Sequence, residues 1–324
     1  MFKKIRSCLV CSILLLSSCE TDLDVNAPWK QIPIAFGLLD QNQDHQYIKV
    51  NKAFLNNGKS ARAVAKDQDS LYHQENIEVL IKEYSEANSL INEWTLNKDT
   101  LNNKESGTFA NPEQILYKTP NDFQIDANNS YELVIKNEND KTLTKARTAV
   151  VDSISNLNAF LGSAEFNFRI PQLAANAFFY DMKLQMHYYN VDRSNNDKTE
   201  KTLNWKLFSL NQTFGSEFEK KVKTQQFYNV VESNLSKDPD IIRPVDSLKV
   251  DAIITGGSEE LYNYIEVNQP ATGIVQKNPD YTNLSNGKGI FASRSIDTIP
   301  IIFPGALKDS LIASETTKGL NFTR

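Results

Sequence analysis

Cysteine is nearly absent from this chain of 324 residues, which contains three Cys, all within the first 19 positions. Residues 20–324 therefore offer no thiol. An internal disulfide, a cysteine nucleophile and a zinc site with cysteine ligands all require one. The body of the protein must instead be held together by hydrophobic cores, and 40% hydrophobic residues are enough to build them.

The sequence also lacks an excess of positive charge and, after its N-terminus, any long apolar run. It contains 35 Lys and Arg against 40 Asp and Glu, which gives a formal charge of −5. Nucleic-acid-binding proteins present a basic face, so this balance argues against such a partner. Because no stretch of about 18 apolar residues follows the N-terminal segment, we expect no membrane-spanning helix in the body.

Motifs that carry catalysis or hold cofactors are missing as well. His45, His73 and His187 have no partner at the spacing of a metal site or a catalytic triad. The segment Gly287–Gly289 lacks the Lys-Ser/Thr of a phosphate loop and is expected to form a turn with positive φ. The sequence therefore predicts neither an enzyme nor a cofactor.

Two segments rich in Asp and Asn raise the question of a cation site. Residues 40–44 begin like a calcium loop, but His45 occupies the glycine position and Asn51 the position of the final glutamate. Residues 192–197 carry two Asp and two Asn, which are also the usual residues of turns between strands. We interpret both segments as turns and predict no metal ligands.

The first 19 residues predict export and lipidation. A basic segment, residues 3–6, precedes a short apolar segment that ends in Leu16–Cys19, with the sequence Leu-Ser-Ser-Cys. This order is typical of a secretory signal peptide, and the apolar part is too short to span a membrane. The last four residues resemble a bacterial lipobox. They predict a signal peptide over residues 1–18 and lipidation of Cys19, whereas the alternative is an ordinary signal peptide or a core helix.

The residues after Cys19 predict a tethered protein. Residues 19–28 comprise the lipidated cysteine and a tether that contains Glu20, Asp22 and Asp24. Such an acidic segment resembles the surface-export signal of Bacteroidota lipoproteins, although acidic residues also occur in ordinary solvated tethers. Loss of the three basic leader residues changes the formal charge from −5 to −8, so the body is repelled by anionic lipid. We expect a lipid-anchored outer-membrane protein that faces the cell exterior.

Alternating apolar residues predict a mainly β protein with two domains. Residues 29–154 contain six or seven short strands separated by turn residues, beginning with a hairpin over residues 32–54. Residues 97–112 are polar and contain Gly and Pro, which predicts a long loop. Short strands at this density favour an immunoglobulin-like β-sandwich. The apolar residues expected to share one face of the first strand are Ile32, Ile34, Phe36 and Leu38.

Residues 155–324 predict a second antiparallel β domain with one or two helices. Apolar and polar residues alternate strictly over residues 178–188, which favours a long strand with one face in the core. Ser216 and Glu219 have the spacing of a capping box and are expected to begin a helix. The chain after residue 305 is expected to form a last helix and then to fray.

Aromatic residues in this second part provide two candidate binding surfaces. Tyr180, Tyr188 and Trp205 could form a platform for a sugar, although their alternation favours a place in the core. Tyr281 and Phe291 lie in a segment expected to be a loop, where exposed aromatic side chains would contact a partner.

A pattern of Asp, then Ser or Thr, then an apolar residue occurs six times, against roughly one or two occurrences expected from average composition. It resembles the O-glycosylation motif of secreted Bacteroidota proteins. Turns at strand ends, where Asp-Ser is common, are an equally good explanation. The candidate acceptors are Ser70, Thr100, Ser153, Ser247, Thr298 and Ser310.

Taken together, these parts resemble an uncharacterised family of Bacteroidota outer-membrane lipoproteins that carries a domain of unknown function. The segments that carry the resemblance are Cys19–Asp22, Ile34–Asp40, Tyr47–Leu55, Leu261–Tyr264 and Asn283–Phe291. The chain has Gly-Lys where the family often has Gly-Gly before its final Gly-x-Phe. Members often accompany TonB-dependent barrels, so the resemblance implies an outer-membrane β-barrel partner, and it assigns no catalytic residue.

We therefore expect a surface-exposed lipoprotein that is an accessory or ligand-capturing subunit of an outer-membrane β-barrel complex. The barrel would be a TonB-dependent receptor or a protein assembly or export machine. The other expected contacts are the membrane, through the lipid anchor, and a glycan or peptide ligand. The alternative is a stand-alone carbohydrate-binding or adhesion lipoprotein, which needs a row of exposed Trp or Tyr. A hydrolase would need acids or histidines that converge in a cleft.

Overall fold

The computed structural model describes residues 32–53, 60–72, 76–138, 141–213, 215–269 and 280–324. The predicted signal peptide, Cys19, the tether and His73 lie outside these residues. The described residues form a mainly β protein with 17 strands in three sheets and five α-helices. None of these helices is long and apolar enough to cross a membrane.

The strands of the first half are β1 (Pro33–Leu39), β2 (Tyr47–Lys52), β3 (Ile77–Tyr84), β4 (Leu90–Thr95), β5 (Asn97–Leu101), β6 (Gln114–Lys118), β7 (Ser130–Asn137) and β8 (Thr142–Ala149). The remaining strands are β9 (Asn158–Leu161), β10 (Glu165–Ile170), β11 (Phe179–Asp192), β12 (Lys198–Gln212), β13 (Phe218–Lys223), β14 (Ile241–Pro244), β15 (Lys249–Gly257), β16 (Lys288–Ile301) and β17 (Phe322–Thr323). The helices are α1 (Ala61–Val64), α2 (Gln68–Leu71), α3 (Thr224–Asn234), α4 (Glu259–Asn268) and α5 (Gly305–Ala313).

The largest sheet contains ten strands and joins the two halves of the chain. Its order is β17-β14-β11-β15-β16-β1-β2-β6-β5, and β12 pairs with β11. β16 lies between the halves, antiparallel to β15 and parallel to β1. The predicted domain boundary after residue 154 falls between β8 and β9, and strands from both sides of it share this sheet.

A four-stranded sheet, β4-β3-β7-β8, packs face to face against the part of the large sheet that contains β1, β2 and β6. Side chains from both sheets form one hydrophobic core, as in a β-sandwich. The residues that the large sheet contributes include Ala35, Leu39, Ile48, Val50 and Tyr117, and those of the smaller sheet include Val79, Ile81, Leu133, Ile135 and Ala146.

The second hydrophobic core lies beneath the long hairpin of β11 and β12. The three-stranded sheet β13-β10-β9, together with α3 and α5, packs against the apolar face of this hairpin. Tyr180, Met182 and Leu184 alternate into the core, while Lys183 on the opposite face is exposed. The strict alternation over residues 178–188 therefore predicted this strand and its buried face correctly.

The apolar residues of β1 share one face as expected, but it is the face turned away from the sandwich core. Ala35 and Leu39 are fully buried, whereas Phe36 is exposed and Leu38 is half-buried. Space on the inner face is short at Gly37, where an added Cβ would overlap the Ile48 side chain. Phe36 and Leu38 on the outer face make a second contact, described below.

The helix predicted to begin at Ser216 starts later than expected. Residues 218–223 form β13, and α3 begins only at Thr224. Phe218 and Val222 alternate into the core and pair with Ile170 and Phe166 of β10, so tertiary pairing overrides the capping-box pattern. The loop predicted over residues 97–112 is likewise wrong at its start, where β5 pairs with β6.

The C-terminal tail is fixed rather than frayed. Arg243 is buried, and its guanidinium donates hydrogen bonds to the Leu320 carbonyl, to Asn190 and to Ser236. The last strand, β17, pairs in parallel with β14 through Arg243 and Phe322. A buried guanidinium must have its donors satisfied, so the tail supplies an acceptor that Arg243 needs.

We expect Gly289→Ala to destabilise the protein. Gly289 has a φ of +105°, and a Cβ there would overlap the Ala35 carbonyl oxygen across the β1–β16 pair. A left-handed backbone costs an alanine about 1–2 kcal/mol before this overlap is added. Urea unfolding should therefore show that the free energy of unfolding of this variant is lower than that of the wild type by about 2 kcal/mol or more. Gly107→Ala is the control, since no atom lies within 4 Å of its added Cβ. Equal stability of both variants would contradict the pairing.

Candidate functional site

A cleft of about 580 Å³ lies between the outer face of β1 and helix α4. Its volume is within the range of small-molecule sites. Its walls are mainly apolar, and the polar groups gather at one end, where Asp40, His45 and Arg294 contribute to the lining. The apolar residues of the walls are Phe36, Leu38, Leu261, Tyr264, Ile265 and Ile290.

The parallel pairing of β1 with β16 explains why charged residues meet at this end. The last paired residues are Leu39 and Ser293, so Asp40 and Arg294 are the next residues of the two strands. β1 ends at Leu39, whereas β16 continues to Ile301, so Asp40 leaves the sheet beside a residue in the middle of β16. The pairing therefore brings together two side chains that are far apart in the sequence.

The segment that begins like a calcium loop is the connection between β1 and β2, as predicted. The buried amide of Gln46 accepts a hydrogen bond from the Asp40 backbone N–H (2.9 Å) and donates to the carbonyl oxygens of Asp40 (3.0 Å) and Gln43 (3.1 Å). The Asn42 N–H donates to Oδ1 of Asp40 (3.1 Å). Within the described ranges, no three His, Cys, Asp or Glu side chains are grouped to hold a metal ion.

Asp40 is a buried carboxylate that is only partly satisfied. The residue is 2% exposed, and its Oδ2 has no hydrogen-bond partner among the described residues. Arg294 Nε lies 3.8 Å from Oδ2, which is too far for a hydrogen bond. Burial raises the pKa of Asp40 above its usual value, although the Asn42 N–H and the charge of Arg294 act in the opposite direction.

Two further polar atoms at the same end of the cleft lack a hydrogen-bond partner within the described part of the chain. They are Nε of Arg294 and Nδ1 of His45, and both atoms are buried. Native proteins satisfy most buried polar atoms, so three such atoms at one end of a cavity are unusual. The side chain of Arg294 is 39% exposed, which leaves part of it open to the cleft.

The opposite wall of the cleft is formed by α4. Tyr264 meets Phe36 edge to face, with ring centroids 6.2 Å apart. Leu261 packs with Ile290 and Phe179 beneath the helix, so the wall is anchored on β16 and β11. An apolar cavity with a few polar groups at one end is the usual design of a ligand-binding site.

The second segment rich in Asp and Asn, and His187, lie outside the cleft. Asp192 closes a turn in which Oδ1 accepts hydrogen bonds from the N–H and the hydroxyl of Ser194, and these bonds lower the pKa of Asp192. His187 lies on the outer face of β11, with Nε2 3.1 Å from Oδ2 of Asp251. Both positions are consistent with the structural roles that the sequence indicated.

The aromatic residues proposed as binding surfaces are not exposed. Tyr180, Tyr188 and Trp205 are buried in the core beneath β11 and β12, as their alternation favoured. The prediction of an exposed Phe291 is wrong, because this residue is fully buried in β16 beneath Gly37. Tyr281 is half-buried.

The six candidate glycosylation positions fall into two groups. Thr100, Ser153 and Thr298 are exposed. The other three are half-buried, and their hydroxyls donate hydrogen bonds within the local backbone or turn. This is the behaviour of structural Ser residues at turns and helices. The three half-buried positions are Ser70, Ser247 and Ser310.

Comparison with known proteins adds no family to this description. No protein-family model matches the chain, and no curated protein sequence matches it. The cleft is therefore interpreted from its own geometry and chemistry.

We expect Asp40→Asn to stabilise the protein at neutral pH. Because burial raises the folded-state pKa of Asp40 above its ordinary 3.8, the native state binds this proton more tightly than the unfolded chain does. The contribution of protonated Asp40 to the free energy of unfolding is fully present below pH 3.8, and it is lost as the pH rises through the folded-state pKa. The increase in the free energy of unfolding that Asp40→Asn produces should therefore be largest near pH 7 and smaller towards pH 4.

Urea unfolding of the wild type and of the Asp40→Asn variant between pH 4 and pH 8 tests this expectation. Asp44→Asn is the matched control, since Asp44 is an exposed residue of the same turn. A variant Asp40→Asn that is less stable than the wild type at pH 7 would show that the carboxylate is well satisfied in the fold.

If the Asp-Ser/Thr pattern directs O-glycosylation of the folded protein, we expect glycans on Thr100, Ser153 and Thr298 only. Their side chains are exposed, whereas the hydroxyls of the other three are held by local hydrogen bonds. Peptide mass spectrometry of the protein from its native membrane measures occupancy at each position. An absence of glycan at all six would favour the turn interpretation.

Proposed function

We propose that this chain is a surface-exposed outer-membrane lipoprotein that captures a ligand for an outer-membrane β-barrel complex. The lipobox that ends at Cys19 and the acidic tether support the membrane anchor and the surface location. The similarity to Bacteroidota lipoproteins supports a barrel partner, which would be a TonB-dependent receptor or a protein assembly or export machine.

The observation that carries ligand capture is the cleft between β1 and α4. It combines a cavity of about 580 Å³ with three buried polar atoms that have no hydrogen-bond partner in the described part of the chain. A ligand that displaced the partly exposed Arg294 side chain could donate to or accept from these atoms, which the folded chain leaves without hydrogen bonds. A lipid anchor would confine this cleft to the membrane surface and raise its effective concentration near a barrel.

The proposed architecture has an immunoglobulin-like N-terminal part and a second β-rich part. The packing of β4-β3-β7-β8 against β1, β2 and β6 supports a sandwich in the first part. The separate core beneath β11 and β12 supports the second. In this arrangement the cleft uses β1 from the first part and α4, with β16, from the second.

We expect Cys19→Ser to release the protein from the membrane. Serine cannot accept the thioether-linked lipid, and several acyl chains would otherwise hold the protein firmly, at about 0.8 kcal/mol per buried methylene. The measurement is the distribution of tagged protein between soluble and membrane fractions of a Bacteroidota host. The matched control is Cys8→Ser with Cys11→Ser, since both cysteines belong to the predicted signal peptide.

Affinity purification of the wild-type protein from detergent-solubilised membranes then tests the partner. The expected result is an outer-membrane barrel recovered with the wild type and with the signal-peptide control. Recovery of the lipoprotein alone, or membrane attachment of Cys19→Ser equal to that of the wild type, would contradict the proposal.

A further inference from the structure

The polar end of the cleft contains charges of both signs. Asp40 supplies a carboxylate and Arg294 a guanidinium, with 3.8 Å between Oδ2 and Nε. The two atoms form an ion pair that is too long for a hydrogen bond, and neither atom has a hydrogen-bond partner within the described residues. A ligand with one charge would complement one of these groups and be repelled by the other.

The rest of the cleft selects for an apolar body of limited size. Phe36, Leu261 and Tyr264 contribute aromatic and aliphatic surface beside the charged pair. Aliphatic walls suit an apolar side chain better than a sugar, whose hydroxyls would each need a polar partner. The cavity of about 580 Å³ is suited to a small molecule rather than to a folded partner.

We propose that the cleft binds a free α-amino acid with a large apolar side chain. The partly exposed Arg294 side chain would turn aside to open Oδ2 of Asp40 to the ammonium group and would donate to the ligand carboxylate. The ligand side chain would lie against the Phe36 and Tyr264 rings, which contact each other. The two charged groups of an α-amino acid are separated by one carbon atom, which matches the short separation of the protein pair. This assignment names the ligand class of the proposed capture function and therefore rests on that function.

Isothermal titration of the detergent-solubilised full-length protein tests the ligand class. L-phenylalanine and L-leucine are expected to bind. 3-Phenylpropanoate lacks the ammonium group and 2-phenylethylamine lacks the carboxylate, so each should bind at least about ten-fold more weakly. Equal affinity for either single-charge analogue would overturn the assignment. So would binding of glucose, or no binding of either amino acid at 10 mM, a concentration on the order of ten times the Kd of weak small-molecule sites.

Two variants test the position of the site. Asp40→Asn and Arg294→Gln should each weaken L-phenylalanine binding by about ten-fold or more, because each removes a charged hydrogen-bond partner. Arg169→Gln is the matched control, since Arg169 is an exposed arginine of β10 that forms an ion pair with Glu217 and does not line the cleft. Thermal unfolding without ligand checks that every variant is folded.

These outcomes separate the ligand class from the wider function. If the protein co-purifies with a barrel but binds no amino acid, the accessory function is supported and the ligand assignment is wrong. A protein that binds L-phenylalanine with unchanged affinity in both cleft variants binds it elsewhere, and the assignment of the cleft is then wrong. Binding that depends on Asp40 and Arg294, without a barrel partner, supports the ligand and overturns only the complex.

Discussion

The parallel pairing of β1 with β16 is the contact on which the rest of the structure depends. It runs from Ile34 opposite Lys288 to Leu39 opposite Ser293, and it inserts the first strand of the described chain beside one of the last. The strands approach so closely that Gly289 must be without a side chain. Without this pair, the ten-stranded sheet would divide between β16 and β1.

The same contact determines the chemistry of the cleft. It places Asp40 beside Arg294, and the outer face of β1 presents Phe36 and Leu38 to the cleft. A buried carboxylate without a full set of partners is unfavourable, and the direction of the Asp40 pKa reflects this. Unsatisfied buried polar groups are rare in native proteins, and a bound ligand is one explanation for them.

The sequence predicts local elements well and distant contacts poorly. The alternation over residues 178–188 and the turn at residues 40–44 are properties of neighbouring residues, and both predictions are confirmed. The start of α3 was misplaced because Phe218 and Val222 pair with β10, some fifty positions earlier. The pairing of β1 with β16 spans almost the whole described chain, and no local pattern encodes it. The cleft therefore could not be predicted, although each of its residues is visible in the sequence.

Occupation of the cleft should also affect how its two walls are held together. Phe36 belongs to β1, whereas Tyr264 belongs to α4, which packs on β16 and β11 through Leu261. A ligand that contacts both walls and satisfies the buried polar atoms binds the folded state alone, and by linkage it stabilises that state. Discrimination between ligands then comes from the polar end, because a molecule that leaves Asp40 or Arg294 unpaired forfeits the energy of a buried, charged hydrogen bond.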